Sequence, residues 1–307
     1  MRRAVIAVVS LLLVGAAGAA DPPPARRFQL ATSEATLDVT IEAGELALAD
    51  AAISSWIATS ARAVTAYYGN FPVKEVRVTV HPGNGRRVGG GVTHGGRRPR
   101  IDIDVGRTAT REALDRDWVL THEMTHLAFP NVPDENHWIE EGIASYVEPF
   151  ARLKIGTLTR EKVWGDLVAG LPQGLPHEGD KGLDHTHTWG RTYWGGALFC
   201  FLADVQIRKE TGCRYGLEDA LRGIQAKGGS IRDDWELSRA LEAGDHATGT
   251  AVLVKLYDSM KATPVTPDLA AVFKELGVEV RNRRVVFDDQ APLANVRTSI
   301  ERPRRWL

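Results

Sequence analysis

The chain has 307 residues, of which 43% are hydrophobic and 25% charged, with a formal net charge of −1. This is ordinary globular composition with ample material for a buried core, and it allows one large domain or two modest ones. A charge so near zero supplies no basic field for nucleic acid and none of the acidic excess that keeps a chain disordered.

The first stretch differs from the rest. Arg2 and Arg3 precede an apolar run from Ala4 to Ala20, and small residues then lead into Asp21 and three prolines. A positive start, a short apolar centre and small residues before a polar break have the form of a cleaved secretory signal over residues 1–20. The run is short for a membrane helix, which needs about 20 apolar residues. The expectation is an exported protein, periplasmic or extracellular, that leaves the membrane once the signal is cleaved. Cys200 lies in the helical pattern "GGALFCFLADVQIRKE" and Cys213 follows its end. Roughly ten helical residues at ~1.5 Å each hold them too far apart for a mutual disulfide, so free thiols are expected.

Next in order, "FQLATSEATLDVTIEAG" has strand-like partial alternation, and "ELALADAAISSWIATSARAVTAYYG" has apolar residues at helical spacing. "EVRVTVHP" alternates as a strand and is stopped by Pro82; "IDIDV" at 101–105 is another. Between them, residues 83–100 carry seven glycines and five arginines. That stretch suits a solvated hairpin whose glycines permit positive φ, or else a flap or phosphate-gripping loop beside a cleft, although no P-loop spacing is present. From about residue 111 to 262 the pattern is helical, and "VEVRNRRVVFDD" suggests a hairpin turning at Arg281-Asn282 or Asn282-Arg283. Strands grouped before helices indicate an α+β fold, a small mixed sheet with a helix followed by a mostly helical region. The division is 21–110, 111–262 and a C-terminal helix and hairpin at 263–307, with proline-rich linkers near 22–24 and 264–267.

The segment "LTHEMTHLAF" places His122 and His126 four apart, on one face of a helix, with Glu123 beside them. This is the spacing for two metal-binding imidazoles and a general base. A shuffled chain of this composition shows it roughly once or twice in a hundred, so a third ligand must decide. The extended pattern with a third histidine fails, because its glycine and histidine places hold Phe129 and Val132. A second amphipathic segment, "NHWIEEGIASYVEPFARL", offers Glu140 or Glu141 in its first turn. The intervening "FPNVPDENH" has two prolines that stop the first helix and allow a reversal, returning that turn toward the histidines.

The combination of His122-Glu123-x-x-His126 and "WIEEGIASY" resembles the gluzincin metallopeptidases, peptidase MA-like and closest to the glycyl-aminopeptidase-like branch, over roughly residues 118 to 150. The resemblance implies a zincin-type catalytic region holding one Zn2+ ion through His122, His126 and Glu141, with Glu123 as general base. A weaker likeness in "RTYWGGALFCFLADVQIRKETG" implies that Tyr193 donates to the oxyanion, with Gly195 where the family has lysine. The substrate implied is a peptide or protein. Endopeptidase action is favoured over aminopeptidase action, because no glutamate lies between Glu75 and Glu112 to anchor a substrate amine. The alternatives are a non-catalytic zincin-fold binding protein and a zinc hydrolase of a non-peptide substrate.

Four lesser expectations complete the reading. "RPRIDIDV" is expected as the sheet edge that receives substrate. His185 and His187 are expected mainly at the surface. Asn136 or His137 is expected to cap the second helix, and Ser145 either packs or supports a ligand histidine. The sequence carries no signal of oligomeric state.

Overall fold

The computed structural model describes residues 23–32 and 34–302, and the expected signal at 1–20 lies outside them. Five strands form one sheet: β1 (Arg26–Ala31), β2 (Thr36–Ile41), β3 (Glu75–Gly83), β4 (Val88–His94) and β5 (Arg100–Gly106), in the order β1-β2-β3-β5-β4. The first strand-like stretch is a hairpin, β1 antiparallel to β2, with the Thr32 hydroxyl accepting the Ala35 N–H across the turn. β2, β3 and β5 run parallel, and helix α1 (Asp50–Tyr68) makes the crossover from β2 to β3. Alternation along these strands buries Leu37, Val39, Ile41, Val76, Val78, Val80, Ile101, Ile103 and Val105 in one core with Ile53, Ile57 and Val64 of α1.

The sheet edge is not where the sequence suggested. β5, within "RPRIDIDV", is paired on both sides, with β3 and with β4, and the edge on that side of the sheet is β4. The reason lies in Gly89, Gly90 and Gly91, which have no side chains to alternate and therefore conceal a strand from pattern reading. Residues 83–100 thus supply one arm and the turn of a hairpin whose other arm is β5, lying beside the cleft that the other reading required.

The rest is mostly helical: α2 (Arg111–Asp115), α3 (Val119–His126), α4 (His137–Lys154), α5 (Arg160–Gly170), α6 (Gly196–Thr211), α7 (Leu217–Ala226), α8 (Leu237–Thr248), α9 (Val252–Met260) and α10 (Leu269–Glu275). A hairpin, β6 (Val278–Arg281) and β7 (Arg284–Phe287), and helix α11 (Ala294–Glu301) close the described chain. Asn282 and Arg283 both have positive φ, 50° and 63°, as a two-residue hairpin turn requires. The architecture is α+β, a mixed sheet with its helix followed by a largely helical region. Cys200 and Cys213 are free thiols. Among the described residues no helix is long and apolar enough to cross a membrane.

Two packing details set the position of the site. The helical pattern before the histidines breaks at 116–118, where the Asp117 carboxylate accepts the N–H groups of Val119 and Leu120 and the indole N–H of Trp56. This capping starts α3 afresh and tethers it to α1. The break also changes the helical phase and leaves Trp118 53% exposed. Helices α4 and α6 meet backbone to backbone at Gly142 and Gly196, where a Cβ on Gly142 would lie 2.3 Å from the Gly196 Cα. Only glycine permits that approach, and the residue next to it is Glu141.

Candidate metal centre

His122 and His126 lie on α3, one turn apart, and Glu141 lies near the start of α4. The chain between them reverses through a short 3-10 turn at Asp134–Asn136. Asp184 fixes the start of α4 by accepting the Asn136 amide N–H, the Trp138 indole N–H and the Tyr257 hydroxyl. Asn136 is therefore the helix's N-cap by position only, because its side chain is spent on Asp184 and caps no helix N–H.

The Glu141 carboxylate faces both imidazoles. Its Oε2 is 3.1 Å from His122 Nε2 and 3.8 Å from His126 Nε2, and the three donor atoms all lie within 4.8 Å of one another. Bonds of about 2.0–2.2 Å in a tetrahedral zinc set hold neighbouring ligand atoms about 3.4 Å apart, so these spacings fit one zinc ion. Protonation states agree with this. Burial, reinforced by the neighbouring His122, lowers the His126 pKa to about 3 and keeps that imidazole neutral. Burial alone would raise the pKa of Glu141, but hydrogen bonds from His122 and His137 hold it well below the usual carboxylate range. A neutral imidazole nitrogen at His126 and an anionic oxygen at Glu141 are donor chemistry that zinc takes. Of the two candidate glutamates, Glu140 turns the other way and accepts the Val132 N–H at 3.1 Å.

Glu123 is buried beside this set. The Thr93 hydroxyl on β4 lies 2.7 Å from its Oε2 and 2.9 Å from its backbone carbonyl oxygen, one proton facing two acceptors. Burial raises the Glu123 pKa, opposed by the Thr93 hydrogen bond. Gly91 passes directly against this side chain, where a Cβ would come within 2.7 Å of Glu123 Cγ. Gly91→Val suits a strand but pushes the carboxylate aside, so we expect a ten- to hundredfold fall in kcat with zinc content unchanged, read by steady-state kinetics and metal analysis.

Tyr193 sits in a π-helical turn, Gly190–Gly195, that leads into α6, an irregularity frequent at functional sites. Its ring stacks on His122 with centroids 6.3 Å apart and on Trp189 at 5.7 Å. It lines a cavity of about 350 Å³ together with His122, Glu123, His126 and Glu141. Burial raises its pKa, followed by the negative charges of Glu141 and Glu123, so the phenol keeps its proton.

His137 was read only as part of a helix cap, yet its Nε2 lies 3.3 Å from Glu141 Oε1 and its Nδ1 2.8 Å from Glu140 Oε2. Glu140 first and Glu141 next raise its pKa to about 10. It thus braces the glutamate that faces the histidines. His185 and His187 are exposed, away from this cavity. Ser145 borders a neighbouring cavity with His122, but His122 Nδ1 has no hydrogen-bond partner among the described residues.

No family model matches the chain, and no curated protein matches it. Solved structures do. An aminopeptidase N family protein from Idiomarina loihiensis is 13% identical with a TM-score of 0.63, over 87% of this chain and 53% of that one. The M1 zinc metallopeptidase from Deinococcus radiodurans is 16% identical with a TM-score of 0.51, over 80% and 53%. The fold is that of a gluzincin-type zinc metallopeptidase. Yeast LTA4 hydrolase is also similar, at 13% identity and a TM-score of 0.50 over 79% of this chain and 40% of that one. The chain spans about half the length of the first two of these structures and less of the third. On this gluzincin frame His122, His126 and Glu141 form the His-His-Glu set for one zinc ion.

Proposed function

We propose that this chain is an exported zinc-dependent peptidase, acting on peptides or proteins as an endopeptidase. The observation that carries the proposal is Glu123. Structural zinc sites close with four protein ligands, whereas this cluster offers three and places a second buried carboxylate, Glu123, held by Thr93, beside them rather than among them. Bound zinc supplies a Lewis acid that makes an attacking water acidic near neutral pH. Glu123 takes the proton from that water, its raised pKa suiting it to hold the proton and pass it to the leaving amine. Tyr193, protonated and in the same cavity, donates its hydroxyl to the developing oxyanion. β4, the free edge beside Glu123, offers unpaired backbone groups to an extended substrate in the role first given to β5.

Endopeptidase action is supported by the carboxylates of the cavity. Among the described residues lining it they are Glu123, Glu140 and Glu141, and each is already committed, to Thr93, to Val132 and His137, and to the ligand set. None remains to receive a substrate amine. Aminopeptidase action is the second reading, favoured by the likeness to an aminopeptidase N family protein. Peptides with blocked and free amino termini separate the two, and cleavage of free-amine peptides alone overturns the first.

The test of the proposal is hydrolysis of labelled casein. Turnover should disappear with a chelator and return with added zinc, whereas no turnover in zinc-loaded protein, or turnover indifferent to chelator, refutes it. Export is tested separately by fractionating cells and sequencing the mature N-terminus, which should begin near residue 21.

A further inference from the structure

A second cavity, of about 720 Å³, opens beside the metal centre and shares His122 and Tyr193 with it. Its size falls within the range of small-ligand pockets. Its wall is aromatic and aliphatic, with Trp118, Leu158, Leu167, Trp189 and Trp194. Four large hydrophobic residues stand exposed among the described residues, and three border these two cavities: Trp118, Trp189 and, on the edge strand, Val92. Exposed apolar side chains gathered round one cleft mark a binding surface.

The charges around the second cavity are all engaged. Glu148 pairs with Arg152 at 2.8 Å, and Lys162 with Asp166. Asp115 pairs with Arg111, and Arg116 with Glu112. No charged side chain in the lining is left over to select a charged partner, so selectivity falls to the apolar wall. Because the cavity opens onto His122 and Tyr193, whatever fills it adjoins the reacting bond.

We propose that this cavity receives the side chain of the substrate residue flanking the scissile bond, and that it selects a large apolar residue, aromatic ones foremost. This rests on the peptidase reading above and names its substrate class. A phenylalanine side chain seated there is removed from water, which corresponds to roughly ten- to hundredfold tighter binding than alanine.

The experiment uses zinc-loaded Glu123→Gln protein, so that binding is measured without turnover. Blocked hexapeptides differing at one residue, Phe, Ala or Glu, are titrated by calorimetry. The phenylalanine peptide should bind at least about tenfold more tightly than the other two. Ala169, exposed on α5 and lining the cavity, allows it to be filled without touching the core. Ala169→Trp should remove most of the phenylalanine preference and leave the alanine peptide unchanged. Trp189→Ala serves the same end should Ala169→Trp not fold. Equal binding of the three peptides, no binding of the phenylalanine peptide, or a preference untouched by either variant overturns the proposal. Casein hydrolysis by the unaltered protein is run alongside. Phenylalanine preference without hydrolysis sinks the peptidase reading and with it the scissile-bond role, whereas hydrolysis without preference sinks the pocket alone.

Discussion

Glu123→Gln is expected to retain one zinc ion per chain and to lose hydrolysis by a factor of about 10² to 10⁴, the usual contribution of a positioned proton-transfer group. Glutamine keeps the shape of the side chain and can still accept the Thr93 hydroxyl at the position of Oε2, 2.7 Å away in the native protein. It cannot take a proton. The ligand atoms belong to His122, His126 and Glu141, so metal content and zinc affinity should match those of the unaltered protein. Removing a buried carboxylate whose pKa is raised relieves a desolvation cost, so the variant should be no less stable. The measurements are kcat on a labelled protein substrate, metal analysis and a urea melt. Undiminished turnover at full zinc occupancy would exclude Glu123 as the base. Low turnover accompanied by lost zinc would show instead that Glu123 supports the ligand set.

How far the sequence discloses this site depends on whether the signal is local. Helix α4 was expected over 136–153 and spans His137–Lys154, with Trp138, Ile139, Ile143, Tyr146, Val147 and Phe150 all buried. Although most of this helix is buried, its large apolar residues recur at the helical period, and that period is what the sequence displays. The histidine pair was legible for the same reason, its spacing being a property of one helix. β4 was hidden because glycines carry no alternation, and with it Thr93 and Gly91, the two residues that position Glu123. The break before α3 had a local signal, an aspartate two residues ahead of the helix, but it sits inside a stretch whose pattern is helical on both sides. His137 had none. Its role arises only when the reversed chain brings two carboxylates to either side of its ring. Tyr193 was reached through family likeness alone, since a tyrosine in a π-helical turn has no periodic signature.

The second large effect concerns Glu141, and its strength comes from contrast with Glu140 next to it. Glu141→Ala deletes the oxygen that faces both imidazoles, leaving two nitrogens for an ion that requires at least three protein ligands at such a site. Loss of a partner that merely orients a ligand costs about 10- to 100-fold in metal affinity, so deletion of a ligand should cost at least about 100-fold. Linkage makes this visible without any assay of activity. Zinc at 1,000 times the native Kd stabilises the folded chain by about 4.1 kcal/mol, but at the same concentration a hundredfold weaker site gains only about 1.4 kcal/mol. Zinc should therefore raise the urea midpoint of the native protein far more than that of Glu141→Ala. Glu140→Ala removes a carboxylate that faces the Val132 N–H and His137 rather than the ligand set, so its zinc-dependent stabilisation should stay close to native. Equal zinc responses in Glu141→Ala and the native chain would mean that the ion, if held at all, is held elsewhere, and the convergence of α3 and α4 would lose its chemical meaning.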